Sequence, residues 1–108
     1  MLRISYAITA CNEHVELERL LEQLDNSIRP EDEVVIQVDT TATPQVRALC
    51  TDYMRENWHA VEFALNNDFA AFKNNLSKHC TREFIFQIDA DEYPHPYLLA
   101  SLPQILDY

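Results

Sequence analysis

The sequence holds 108 residues, 47% of them hydrophobic, with 18 acidic and 8 basic side chains, a formal charge of −10 and no glycine. That is enough apolar material for one core and too little for two, so residues 1–108 read as a single domain. Walker-type phosphate loops and Gly-rich dinucleotide turns are excluded, because both need glycine where backbone approaches a phosphate, and the charge argues against nucleic acid and anionic membrane surfaces as partners.

In chain order, residues 3–10 (RISYAITA) read as a first buried strand. Asn12 then offers an N-cap, and Val15, Leu17, Leu20, Leu21, Leu24 and Ile28 recur at helical spacing up to Pro30. A second strand spans 33–39 (EVVIQVD). Thr43-Pro44 is the signature of an N-cap followed by proline in the first turn, with Val46, Leu49, Cys50, Tyr53 and Met54 on the apolar face. A third strand is expected at 61–65 (VEFAL), and Asp68 caps a third helix carrying Phe69, Phe72, Leu76 and Cys80 inward. The fourth strand covers 83–89 (EFIFQID). Like the second, it has apolar residues on both faces, as strands covered on both sides do. A last helix begins near Pro96 with Leu98, Leu99, Leu102 and Ile105, and Pro103 kinks or breaks it.

Three cysteines without a CxxC pair (Cys11, Cys50 and Cys80) argue against a disulfide framework or a zinc site and read as small apolar residues. The N-terminus is too short and polar for a signal peptide, and no apolar run approaches the ~18 residues of a membrane span, so a cytoplasmic location is expected. Strands alternating with helices imply an α/β fold. About four parallel strands in the order 3-2-1-4 would carry helices on both faces, and ligands would bind at the carboxyl rim where the winding reverses.

The acidic residues fall at that rim. The first strand ends in Ala10-Cys11-Asn12-Glu13, the second in Asp39-Thr40-Thr41 and the fourth in Asp89-Ala90-Asp91-Glu92. Crowded carboxylates repel unless a cation neutralises them. Hard oxygen ligands suit Mn²⁺ or Mg²⁺, which take one or two carboxylates plus phosphate oxygens. The ligand implied is a diphosphate bridged to the protein by metal. Plainer readings stand beside this one: Asp39 as a turn former, Glu13 as a favourable charge at a helix N-terminus, and Lys73 as a solvated helix residue. An EF-hand reading of Asp89-Ala90-Asp91 fails because Pro94 stands where that loop needs glycine. A phosphoryl-receiver reading lacks its reactive Asp on the first or third strand.

A strand ending in Asn-Glu, a second ending in Asp, an Asn-rich segment and a strand ending in DxD together resemble the family 2 glycosyltransferases of the GT-A fold, over essentially the whole chain but only their Rossmann-like nucleotide-binding half. DADE is similar to a subgroup that includes lipopolysaccharide-core sugar transferases. The resemblance implies that Ala10, Asn12 and Glu13 hold base and ribose, that Asp39 contacts uracil or ribose, and that Lys73 lies near the nucleotide. It implies Asp89 near the ribose and the metal, and Asp91 as the direct ligand of Mn²⁺ or Mg²⁺. The activity implied is transfer of a sugar from a nucleotide-diphosphate sugar, UDP-linked, to a saccharide or lipid-linked acceptor. The general base is not visible in this chain.

Two departures from the family are plain. Asn66-Asn67-Asp68-Phe69 stands where the family commonly has glycine, and asparagine tolerates the left-handed conformation glycine would supply. The acids after the second strand are also fewer. The alternative from another class is a catalytically silent nucleotide- or metal-binding module. A bare sheet edge at the fourth strand predicts a homodimer.

Overall fold

The computed structural model describes residues 2–92, 94, 98–99 and 101–103. Its elements alternate: β1 (Ile4–Ala10), α1 (His14–Ser27), β2 (Glu33–Val38), α2 (Pro44–Tyr53), β3 (Trp58–Glu62), α3 (Phe69–Lys78) and β4 (Phe84–Asp89). The three strand pairings are parallel, as the alternation predicts, and the sheet order is β3-β2-β1-β4, the order expected. Residues 98–99 and 101–103 are helical, Pro103 among them; the expected start at Pro96 and the apolar Ile105 lie outside the described residues.

Period-2 alternation divides the strands between two layers. Ile4, Tyr6, Ile8, Val34, Ile36, Val38 and Ile88 pack with α1 and α2 and with Leu99 and Leu102 into the main core. On the other face Ala7 and Val35 meet Leu76 of α3, with Val61 and Cys80 against them. All six residues of β2 are buried, including Glu33 and Gln37, as a strand covered on both sides should be. β4 departs from that expectation. Among the described residues it is an edge strand, with Ile85 and Gln87 exposed on the α3 face, where Gln87 donates to the Ser77 hydroxyl of α3 at 3.2 Å.

The N-cap of α1 is Glu13 rather than Asn12: the Leu17 N–H donates to Glu13 O at 2.8 Å, starting the helix one residue later. Leu17, Leu20, Leu21 and Leu24 are buried, whereas Val15 is 57% exposed, two positions off that stripe. Thr43 and Asp68 cap as predicted. The Thr43 hydroxyl accepts from the Val46 N–H at 3.3 Å, and Asp68 Oδ1 accepts from the Ala71 N–H at 3.0 Å. β3 runs from Trp58 to Glu62, three residues ahead of its expected place. Asn57 (φ 68°) makes the turn before it, its side chain donating to Pro30 O at 3.0 Å and its carbonyl accepting from Val34. Of the cysteines, Cys50 is buried and Cys11 and Cys80 are half-buried; all three are free thiols. No helix of the described residues is long and apolar enough to cross a membrane.

Candidate functional site

Parallel strands bring their carboxyl ends to one rim, and main-chain hydrogen bonds tie the segments that leave it. Asp39 N–H donates to Ala10 O, Thr43 N–H to Cys11 O, and Ala90 N–H to Thr9 O, at 3.0–3.2 Å. On the α3 side of this rim lies a cavity of about 270 Å³. Thr9, Ala10, Cys11 and Glu13 line it from the end of β1, and Asp39 from the end of β2. Leu65, Phe69, Phe72 and Lys73 close it from α3 and the loop before it, and Asp89 and Asp91 from the end of β4.

Of the residues singled out in the sequence, Ala10, Glu13, Asp39, Lys73, Asp89 and Asp91 therefore meet around one space. Asn12 is exposed and does not line it. Glu13 turns its carboxylate back on its own loop, where Oε1 accepts from the Cys11 N–H at 2.6 Å and the Asn12 N–H at 2.8 Å. It shapes the turn that ends β1.

Asp39 is held from two sides. Oδ2 accepts from the Thr41 hydroxyl and, at 3.3 Å, from the Thr41 N–H; Oδ1 accepts from the Leu65 N–H at 2.8 Å. The Thr41 hydroxyl and then the Leu65 amide hold its carboxyl below the usual carboxylate range. A carboxylate that accepts this many N–H and O–H groups also fixes the loops that carry them. The β3–α3 loop is thereby locked to the end of β2. Within that loop Asn66 (φ 47°) and Asn67 (φ 59°) take the left-handed conformation expected of residues standing in for glycine.

Asp89 and Lys73 form an ion pair, Nζ to Oδ1 at 2.8 Å, and the Thr9 hydroxyl donates to the same oxygen at 2.7 Å. The Lys73 ammonium, then the Thr9 hydroxyl, hold the Asp89 carboxyl below its usual range. Lys73 thus brings a cation, half-buried and paired with Asp89, to the cavity lining. Glu92 folds back so that Oε1 accepts from the Asp89 N–H at 2.7 Å, a turn-closing contact. Asp91 is exposed on the cavity wall, and among the described residues it makes no hydrogen bond or ion pair.

Gln37 was legible only as part of a hydrophobic strand, yet it sets the position of α3. Buried on β2, it donates to Phe72 O at 2.7 Å and accepts from the Asn75 amide at 2.8 Å. The helix is thereby pinned one residue from Lys73. A polar residue inside an otherwise apolar central strand was the available signal, since such a group must find partners. Thr9 carried no comparable mark.

Among the described residues no three His, Cys, Asp or Glu side chains gather closely enough to hold a metal ion unaided. The donor chemistry nonetheless suits a hard cation that arrives with its ligand: one open carboxylate at Asp91, one partly engaged at Asp89, and space beside them for phosphate oxygens and water.

No curated protein matches the chain. Among solved structures it is similar to the crystal structure of S. aureus TarS 1-349, with a TM-score of 0.83 and 23% sequence identity. That likeness covers 98% of this chain and 32% of the other, so the chain spans about a third of that structure, and at this identity the likeness establishes the fold. The family model described as Glycosyl transferase family 2 matches residues 5–107, from the first residues of β1 past the acidic end of β4. With the strand order and nearly the whole length accounted for, the chain belongs to glycosyl transferase family 2.

Proposed function

We propose that this chain is the donor-binding part of a metal-dependent glycosyltransferase that takes a nucleotide-diphosphate sugar, UDP-linked, and delivers the sugar to a saccharide or lipid-linked acceptor. Family membership supports glycosyl transfer in general terms. One observation carries the donor reading: β1, β2, α3 and β4 converge so that Asp39, Lys73, Asp89 and Asp91 line a single cavity at the carboxyl rim.

In this reading Asp91, with its open carboxylate, would hold Mn²⁺ or Mg²⁺, and Asp89 stands beside it already compensated by Lys73. When bound, the ion supplies a Lewis acid that stabilises the charge developing on the leaving diphosphate. Lys73 contributes its ammonium to an otherwise acidic cavity, which lowers the repulsion an incoming diphosphate meets. Asp39 and the left-handed Asn66-Asn67 turn shape the wall for the nucleoside.

The test is calorimetric titration of UDP with and without Mn²⁺ on the wild type and on Asp91→Asn. Metal-dependent affinity that falls at least tenfold in the variant is expected, since one charged contact is worth about 1.5–3 kcal/mol. Equal binding by both proteins refutes the site. Release or transfer of a labelled sugar by the wild type separates an enzyme from a silent module.

A further inference from the structure

We infer that Phe69 is the platform on which the base of the nucleotide stacks, an inference that rests on the donor reading above. Five large apolar residues are exposed among the described residues: Leu2, Val15, Phe69, Ile85 and Leu98. Phe69, at 67%, is the most exposed of them and the one that lines the donor cavity. Its place is fixed by hydrogen bonds. Phe69 is the first residue of α3, whose N-cap Asp68 accepts from the Ala71 N–H at 3.0 Å and donates its own N–H to Leu65 O at 2.8 Å. Leu65 in turn donates to Asp39 Oδ1 at 2.8 Å. The ring is therefore tethered to the Asp39 end of the cavity, through a loop held by two left-handed asparagines.

The cavity wall is mixed in character. Its lining combines apolar Leu65, Phe69 and Phe72 with the carboxylates Asp39, Asp89 and Asp91. A ligand that satisfies both has a flat apolar face and polar edges, as an aromatic heterocycle does. Stacking on an aromatic side chain tolerates any base, because every base has a π-face, and offset or edge-on ring geometry adds to the area buried. Phe69 is a binding residue in this proposal and takes no part in bond making.

The experiment titrates UDP, uridine and inorganic pyrophosphate, each with Mn²⁺, into the wild type, Phe69→Ala and Phe69→Tyr. Phe69→Ala is expected to bind UDP and uridine about tenfold more weakly while its pyrophosphate affinity stays unchanged, and Phe69→Tyr is expected to restore both. In Phe69→Trp, added UDP should quench tryptophan emission that it leaves unchanged in the wild type, since the sole native tryptophan, Trp58, is buried at the start of β3, on the opposite rim. If the wild type binds UDP and Phe69→Ala binds it equally well, the stacking inference falls and the donor reading stands. Equal loss of UDP and pyrophosphate in Phe69→Ala also overturns it. A wild type that binds neither UDP nor pyrophosphate overturns both.

Discussion

Glu33 stands at the first position of β2, buried on the face that α3 covers. Burial pushes its carboxyl upward, but the Thr81 hydroxyl at 2.6 Å, the Thr81 N–H at 2.8 Å, the Ser5 hydroxyl at 3.0 Å and the Arg82 charge outweigh that. Together they hold it below its ordinary value of 4.5. Because the folded value is depressed, its contribution to stability is whole above pH 4.5 and fades as pH falls through the folded-state value. Glu33→Gln should cost about 2 kcal/mol at neutral pH by urea denaturation, with a flatter stability profile below pH 4.5. A variant as stable as the wild type, or one with an unchanged acid limb, would show that this carboxylate does not hold the amino rim. At the carboxyl rim the acids Asp39, Asp89 and Asp91 were legible because each run of acids follows a hydrophobic strand. Their partners were not. Thr9 reaches Asp89 across 80 residues and Lys73 across 16, separations that local pattern does not encode.

At the level of elements, caps were readable because cap chemistry is local: Thr43 before proline, and Asp68 before an apolar helix. Asp68→Ala should lower stability by about 1 kcal/mol. Because it also loosens the loop that carries Phe69, amide exchange should quicken at residues 68–71 and stay unchanged in α1; uniform exchange would show that the cap does not set the loop. The boundary of β3 was not readable. VEFAL has strand composition, but the register is set from outside by the Asn57 turn and its bonds to Pro30 and Val34. Phe69 shows how periodicity reaches its limit. It lies three residues before Phe72 and so on the inward stripe, yet α3 begins at the rim, where no sheet remains beneath the first turn to cover the ring.

For the whole molecule, the order β3-β2-β1-β4 was legible because alternating strands and helices with right-handed crossovers leave few arrangements. The exposed side of β4 was legible as an edge but not as a half-open face. Phe84, Ile85 and Phe86 run consecutively there, and among the described residues β4 pairs with β1 alone. Such an edge is a template for strand addition. Sedimentation velocity of the 108-residue chain should show a mass that rises with concentration, and Ile85→Lys should return it to a monomer; a wild-type monomer at every concentration would count against edge pairing. The central strand has a kinetic consequence as well. β1 lies between β2, which follows within about thirty residues, and β4, whose register partner for Thr9 is Asp89. Residues 84–89 must therefore be in place before the middle of the sheet can close, and loop-closure entropy makes such distant parallel pairing slow. Refolding is accordingly expected to be far slower than that of a helical bundle of equal size, with the rim where Thr9 meets Asp89 among the last parts to assemble.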